Sequence, residues 1–221
     1  MCGRFTLTTN LGAIAKRFGV ARFLEEVGPR YNIAPTQTVI VVSDDGARQL
    51  TEMRWGLIPS WAKDPAIGNR MINARAETIA TKPAFRSALR KRRCLIPADG
   101  FYEWTPAGRT KQPVHIALKN REPFGFAGLW ESWTSLDGEE IKTCTIITTE
   151  ANELLKPIHD RMPVILNREA EAVWLDPTIQ QPATLLPLLT PYPAEEMEVY
   201  TVSTKVNNPT NDGPECIVPL R

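Results

Sequence analysis

The prolines limit most strongly what this chain of 221 residues can fold into. There are 19 of them, and they are spread through the whole sequence. A proline inside a helix removes a backbone hydrogen bond and clashes with the preceding turn, so long helices are disfavoured. The sequence therefore predicts many short elements joined by turns.

The apolar spacing assigns most of these elements to strands and a few to helices. The helix at 10–27 has Leu11, Ile14, Ala15 and Phe18 at helical spacing, with Asn10 as its cap. We therefore expect one α+β domain over residues 1–221, built on a mainly antiparallel sheet or barrel-like core. Predicted strands are 39–42, 53–58, 94–104, 112–119, 124–133, 142–149, 163–166 and 197–202, and predicted helices are 10–27, 83–93, 168–175 and 182–189.

Charge and cysteine content restrict the chemistry. The formal net charge is +1, so any nucleic-acid binding must come from a local basic cluster. The four cysteines contain no Cys-X-X-Cys pair and there are two histidines, which disfavours a zinc site. We expect no metal and no cofactor. The start of the chain lacks the apolar stretch of a secretion signal, and no run is long enough to span a membrane. These features favour a cytoplasmic protein with reduced thiols.

The second residue is the most informative candidate for chemistry. Cys2 follows Met1 and precedes Gly3, and removal of Met1 is favoured before a small residue. The exposed residue would carry an α-amine and a thiol on adjacent carbons, both partly reactive near neutral pH. Such a pair can capture an aldehyde as a thiazolidine, or its thiol can attack an amide. On its own, Cys2 is equally compatible with an incidental place in the start sequence.

Two further segments supply proton-transfer candidates. His159 lies in PIHDRMP, between two prolines and beside a carboxylate and a guanidinium. Glu103 lies between aromatic residues in DGFYEW, where a carboxyl can be partly desolvated. The alternatives are an ordinary surface ion pair for His159 and a solvent-facing strand position for Glu103. The other histidine, His115, lies in an alternating strand and is interpreted as structural.

A polar face and a basic cluster suggest anion binding. Asn73, Arg75 and Glu77 alternate with apolar residues and would share one face of an extended segment. Exposed arginines beside stacking aromatics such as Trp61 and Trp104 suit single-stranded nucleic acid. A half-buried strand, a solvated helix face and core tryptophans are the simpler alternatives. The basic cluster contains Lys82, Arg86, Arg90, Lys91, Arg92 and Arg93.

Taken together, the motifs resemble the SOS-response-associated peptidase family, from residue 1 to at least 166. The stretch VSTKVNN at 202–208 is also similar to the family, whereas the rest of the last 50 residues matches less distinctly. The resemblance implies a barrel-like α+β domain with a positively charged channel for single-stranded DNA. The motifs are MCGRF at the start, RYNIAP at 30–35, WGLIPSW at 55–61, INARAET at 72–78, PADGFYEW at 97–104 and IHDRMPVIL at 158–166.

The family resemblance also implies specific roles. Cys2 would covalently capture the ring-opened sugar of an abasic site, and Asn73 would orient the reacting groups. Glu103 and His159 would transfer protons during Schiff-base formation, ring closure and slow reversal. The implied partner is single-stranded DNA containing abasic sites, with strand junctions as an expected context, bound by a monomer. The implied DNA-binding residues are Arg4, Arg75 and Arg161 at phosphates, Asn32 and Thr148 on the same surface, Pro35 and Trp61 at an apolar wedge, and Trp104 for stacking.

One departure and three alternatives stay open. Some bacterial relatives carry paired tryptophans at Trp61-Ala62 and a basic residue at Pro83, so the junction preference of this chain is in doubt. Class II glutamine amidotransferases also begin with Met-Cys-Gly, but this chain lacks the Asn-Gly dipeptide of their oxyanion site. A cysteine peptidase acting on Met1 or on another protein, and a plain single-stranded DNA-binding module, are the other two.

Overall fold

The computed structural model of the chain describes residues 2–20, 27–44, 46–108 and 110–220. The strands are β1 (Phe5–Leu7), β2 (Arg30–Ile33), β3 (Thr38–Asp44), β4 (Arg48–Trp55), β5 (Asn73–Arg75), β6 (Arg93–Ala98), β7 (Gly100–Ala107), β8 (Thr110–Leu118), β9 (Phe124–Thr134), β10 (Glu140–Glu150), β11 (Arg161–Pro163), β12 (Ile165–Leu166) and β13 (Met197–Thr201). The α-helices are α1 (Leu11–Phe18), α2 (Arg86–Lys91), α3 (Arg168–Leu175) and α4 (Pro182–Leu185). Short 3₁₀ helices lie at Pro65–Arg70, Leu186–Leu188, Ala194–Glu196, Thr204–Asn207 and Pro214–Cys216.

A closed ring of five strands forms the centre of the molecule. Each strand pairs with the next in the order β10, β4, β3, β6 and β9, and β9 pairs back to β10. The β4–β10 pairing is parallel and the other ring pairings are antiparallel. Closure removes the sheet edges that an open sheet would expose. The predicted α+β class with a mainly antiparallel, barrel-like core is confirmed.

A second, five-stranded sheet packs beside the barrel in the order β13, β8, β7, β1 and β2. The chain crosses from β6 in the barrel to β7 in this sheet at Asp99, so the predicted strand 94–104 is in fact two strands. Phe5 of β1 joins the two sheets through ring contacts to Trp55 at 5.2 Å and Phe126 at 5.8 Å. Each such pair contributes about 1 kcal/mol beyond its buried area.

Helix α3 spans Arg168–Leu175 as predicted, whereas the other three α-helices are shorter than the apolar patterns predict. α1 begins after Asn10, whose side chain accepts from the Ala13 amide at 2.9 Å, and ends at Gly19 with φ 66°. The predicted extension covers residues 21–26, which lie outside the described residues. The helix predicted at 182–189 is one turn of α-helix followed by a 3₁₀ turn. None of the helices in the described part of the chain has the length and apolar character that a membrane crossing requires.

Two extended segments also end earlier than predicted, and the first of them begins earlier as well, at Arg48. The strand expected at 53–58 ends at Trp55, because Gly56 turns the chain with φ 132°. A Cβ at Gly56 would lie 2.6 Å from the Gly68 carbonyl oxygen, so the backbones can meet there only without a side chain. The extended segment expected at 71–78 is strand only from Asn73 to Arg75. Glu77 lies in the following turn, and the predicted shared face therefore does not extend to it.

His115 is buried in β8, as expected of a structural residue. The rings of Tyr102 and Tyr200 lie 5.0 and 5.2 Å from its imidazole. Gly100 makes the space for it, since a Cβ there would lie 2.2 Å from His115 Cε1. Burial lowers the pKa of His115 from its usual 6.5 to about 4.

The His115 pKa predicts acid sensitivity of the fold. The unfolded chain takes up a proton at higher pH than the folded chain, so stability should fall as the pH drops from about 6.5 toward 4. The loss assigned to this group is roughly 2–3 kcal/mol at pH 4.5. Urea unfolding at pH 7 and pH 4.5 measures it, with His115→Gln as the comparison. The variant should lose that much less stability on acidification, and equal losses in both proteins would contradict the assignment.

Candidate functional site

Cys2 and Asn73 lie in contact. The Cys2 side chain is fully buried, just before β1. Asn73 lies at the start of β5, and its Nδ2 donates to the carbonyl oxygens of Cys2 at 3.0 Å and Ile72 at 2.8 Å. Both amide hydrogens are thus used on backbone carbonyls, which fixes the orientation of the side chain. The structure therefore brings together the predicted nucleophile and the residue predicted to orient it.

Glu103 approaches Cys2 from the neighbouring strand. The register of β1 on β7 pairs Phe5 with Phe101, and the Tyr102 amide donates to the Arg4 carbonyl, so the same register places Gly3 opposite Glu103. Glu103 is 5% exposed, which agrees with the predicted desolvation. Burial raises the pKa of the Cys2 thiol well above its usual value, and the negative charge of Glu103 raises it further. The thiol is therefore held in its neutral form.

His159 lies in the segment that leads into β11, with 33% of its side chain exposed. Its Nδ1 is 2.9 Å from the Arg161 backbone nitrogen and 2.9 Å from an Asp160 carboxylate oxygen. A backbone N–H can only donate, so Nδ1 of the neutral ring accepts from Arg161 and Nε2 carries the proton. A protonated ring would instead donate from Nδ1 to Asp160. The neutral imidazole therefore offers a donor at Nε2.

Arg161 is held in place by protein groups. Its two terminal nitrogens bind the Glu77 carboxylate at 2.6 and 3.0 Å, and Nη2 also donates to the Thr148 carbonyl at 2.6 Å. Arg161 lowers the pKa of Glu77 by this hydrogen bonding. Thr148 is fully buried in β10, where it pairs with Arg75 of β5. Arg75 itself is exposed, so of these four residues its guanidinium is the one open to an anion.

Arg4 and Asn32 are joined to the C-terminal segment. Nη1 of Arg4 donates at 2.7 Å to both the Asn32 side chain and the Val206 carbonyl. Asn32 is fully buried, and its Nδ2 lies 2.6 to 3.1 Å from the carbonyls of Val206, Asn208 and Asn211. Asn32 therefore fixes the position of the Arg4 guanidinium. The direct DNA contact expected of Asn32 stays a prediction, because the residue is fully buried.

Trp104 completes the same region. Its Nε1 donates to the Asn207 side chain at 2.7 Å, and the Arg4 guanidinium lies 5.7 Å from its ring centre. Trp104 is half-buried in this position, so one face of its ring is already covered by Arg4. A stacking role for Trp104 is therefore limited to the part of the ring that remains exposed.

Trp61 is the exposed aromatic beside the site, with 60% of its surface accessible. It lines a cleft of about 300 Å³ together with Asn73, Arg70 and Lys82. The cleft thus joins an indole face and two cations to the residue that contacts Cys2. Pro35 is half-buried in the turn after β2. The structure gives no contact that joins Pro35 to this cleft, and its wedge role stays a prediction.

Two carboxylates with organising roles escaped the sequence analysis. Asp212 accepts from the backbone amides of Tyr31 at 2.5 Å and Asn32 at 2.7 Å, and it pairs with Arg30. In the sequence, Asp212 resembles an ordinary turn residue, because its partners lie about 180 positions earlier in the chain. Glu77 was expected on a strand face and not as the partner of Arg161. In the described ranges, no cluster of three or more histidine, cysteine or acidic side chains is arranged to hold a metal ion.

The chain is similar over most of its length to one protein family and to relatives within it. The model of the family described as SOS response associated peptidase (SRAP) matches residues 1–209. The abasic site processing protein YoqW of Bacillus subtilis (strain 168) is 51% identical over 221 residues, which cover 98% of this chain and 99% of YoqW. The abasic site processing protein HMCES of Gallus gallus is 35% identical over 225 residues, which cover 87% of this chain and 66% of HMCES.

Solved structures with the same fold are also similar over most of the chain. A crystal structure of a protein from Bacteroides thetaiotaomicron matches with a TM-score of 0.91 at 29% identity and covers all of both chains. A protein from Bordetella bronchiseptica matches with a TM-score of 0.79 at 26% identity, covering 91% of this chain and 100% of that one. The similarity therefore includes the barrel, the second sheet and the segments that carry Cys2, Asn73 and Glu103.

Proposed function

The chain belongs to the SOS response associated peptidase family, and we propose that it processes abasic sites in single-stranded DNA through a covalent bond to Cys2. The observation that carries this proposal is the contact of Cys2 with Asn73, a residue that lines the Trp61 cleft. The relatives named as abasic site processing proteins support the same substrate. The proposed result is a DNA–protein cross-link that shields the damaged site and reverses slowly.

The proposed chemistry begins after Met1 is removed, when Cys2 carries a free α-amine. The ring-opened abasic sugar presents an aldehyde at C1′. The amine adds to this carbon, and loss of water gives a Schiff base. The thiol then adds to the same carbon and its proton reaches the nitrogen by way of a nearby acceptor, which closes a five-membered thiazolidine. No oxidant, metal or cofactor is needed. The ring removes the imine that would otherwise promote β-elimination, so the strand remains intact.

The electrostatics of the site support attack by the amine first. Burial and Glu103 both raise the pKa of the thiol, so little thiolate is present before DNA binds. A neutral amine needs no such ionisation to attack an aldehyde. The thiol can then close the ring while it transfers its proton to a nearby acceptor. Glu103 is that acceptor in our proposal, since it is the carboxylate that acts on the Cys2 thiol.

His159 takes the complementary role. With Nδ1 occupied by the Arg161 amide, the neutral ring can donate from Nε2 but cannot accept there. We therefore assign His159 to donate a hydrogen bond from Nε2 to the oxygen that leaves as water. Glu103 accepts the proton that the amine nitrogen gives up and passes it to that oxygen, so the imidazole keeps its own proton.

The surface around the site supports DNA binding through a few groups. Trp61 offers an exposed face for a base next to the lesion, and Arg75 an exposed guanidinium for a phosphate. Arg161 could reach a phosphate only by exchanging it for the Glu77 carboxylate. Asn32 and Thr148 are buried, so they would contribute by positioning Arg4 and Arg161. Binding as a monomer at strand junctions, and location with the DNA in the cytoplasm or nucleoid, belong to the same proposal.

The alternative functions fit the site less well. A glutamine amidotransferase or cysteine peptidase needs a reactive thiolate, whereas this thiol is buried beside a carboxylate. Self-removal of Met1 is compatible with the proposal because it needs only one turnover per molecule, which can be slow even when little thiolate is present. A plain DNA-binding module would leave the contact between Cys2 and Asn73 without a purpose.

Substitution of Cys2 tests the proposed bond. Wild-type protein mixed with uracil-containing single-stranded DNA and uracil glycosylase should form a heat-stable conjugate. Cys2→Ala should form no heat-stable conjugate. Cys2→Ser keeps the amine without the thiol, so it should give an adduct that survives only after borohydride reduction. Gel electrophoresis and intact mass measure both. An undiminished heat-stable conjugate in Cys2→Ala would overturn the mechanism, and glutamine hydrolysis without any conjugate would favour the amidotransferase.

The assigned roles predict slower conjugate formation when Glu103 or His159 is replaced. Glu103→Gln should slow conjugate formation about 100-fold or more, because ring closure loses its proton acceptor. His159→Ala should also slow formation but leave the affinity for undamaged DNA unchanged, since the ring acts on the leaving oxygen. Single-turnover kinetics at saturating DNA measure the rates, and fluorescence polarisation measures the affinity. Wild-type rates in both variants would remove these residues from the mechanism.

A further inference from the structure

A ridge of basic side chains runs along helix α2, outside the site described above. Lys82, Arg86 and Arg90 are exposed and lie four residues apart. The Arg86 amide donates to the Lys82 carbonyl at 2.9 Å, so the helical turn already begins at Lys82. Residues at this spacing share one face of a helix. We call these three residues the basic ridge. It is about 12 Å long.

The charge of the basic ridge is not neutralised by neighbouring side chains. Within the described ranges, none of its three residues forms an ion pair. The two other arginines of the cluster differ. Arg92 pairs with Glu131 at 2.8 Å, and Arg93 is buried against backbone carbonyls that include Trp174 O and Asp176 O. Two members of the predicted basic cluster are therefore structural. Lys91 is also exposed, but it follows Arg90 directly and therefore lies off the face that the ridge occupies.

The basic ridge is continuous with the Trp61 cleft. Lys82 lines that cleft together with Trp61 and Asn73, and Arg86 and Arg90 lead away from it along α2. A strand whose damaged sugar lies at Cys2 and whose next base stacks on Trp61 would have its backbone beside Lys82. The rest of the ridge, Arg86 and Arg90, is then placed to contact about two further phosphates.

We propose that the basic ridge binds the phosphates of the DNA strand as it leaves the Trp61 cleft, which extends the footprint beyond the lesion. This proposal rests on the proposed function, because the strand must enter at Cys2. A membrane surface fits less well, since the apolar face of α2 is buried through Ala88 and Leu89 and offers nothing to a bilayer. The regular spacing of three cations suits a polymer of regularly spaced anions.

The test uses non-covalent binding of undamaged oligothymidylate in a Cys2→Ala background. An oligonucleotide of about 5 nucleotides should cover the cleft, whereas one of about 15 should also cover the ridge. Arg86→Gln/Arg90→Gln should leave the affinity for the short strand unchanged. For the long strand, log affinity should fall less steeply with log salt. The magnitude of the slope should decrease by about 1.4, since each phosphate contact contributes about 0.7. Between 50 and 200 mM salt, the parent should therefore lose about sevenfold more affinity than the variant.

Two control variants test whether the effect depends on the position and on the charge of the ridge residues. Lys16→Gln/Lys119→Gln removes two exposed cations from α1 and the end of β8, and it should not change the slope. Arg86→Lys/Arg90→Lys should preserve the slope because the charge remains. If Arg86→Gln/Arg90→Gln and the parent have equal slopes, the proposal that the basic ridge binds phosphates is contradicted. If wild-type protein forms no cross-link but the slope still falls, the proposed chemistry fails and the ridge stands.

Discussion

The pairing of β5 with β10 is the interaction on which the site depends. β10 is buried from Thr143 to Thr149, and it pairs in parallel first with β4 and then with β5. The first pairing closes the barrel. The second places Ile146 opposite Asn73, and so directs a short strand of three residues toward the N-terminus. A strand this short has little stability of its own, so the barrel must supply it.

The second sheet positions Cys2 and Glu103, the other part of the site, by regular strand pairing. Pairing of β1 with β7 brings Cys2 close to Glu103, and the ring contacts of Phe5 fix β1 against the barrel. The C-terminal segment then secures β2 through Asp212, and Asn32 positions Arg4. The residues around Cys2 are thus held by backbone pairing and buried hydrogen bonds. Such pre-organisation holds the residues around Cys2 in place before DNA binds.

The sequence predicts the local part of this arrangement well. The fold class, the Asn10 cap of α1 and helix α3 follow from apolar spacing and capping, which are properties of neighbouring residues. The contact of Cys2 with Asn73 comes from the family resemblance and not from spacing, because the two lie 71 positions apart. Long-range partners such as Asp212 for Asn32 and Glu77 for Arg161 have no local signal. The inward turn of Arg93 shows the same limit, since its carbonyl partners include one on a distant helix.

The central claim is that the α-amine and the thiol of Cys2 react together. Its most direct measurement is the N-terminal tryptic peptide of the purified conjugate, Cys2-Gly3-Arg4, after nuclease treatment and labelling of free thiols and free amines. The account predicts a peptide without Met1 that carries the sugar remnant and takes up neither label, because both groups are part of one ring. A linked peptide whose thiol is freely alkylated, or one that still contains Met1, would contradict it.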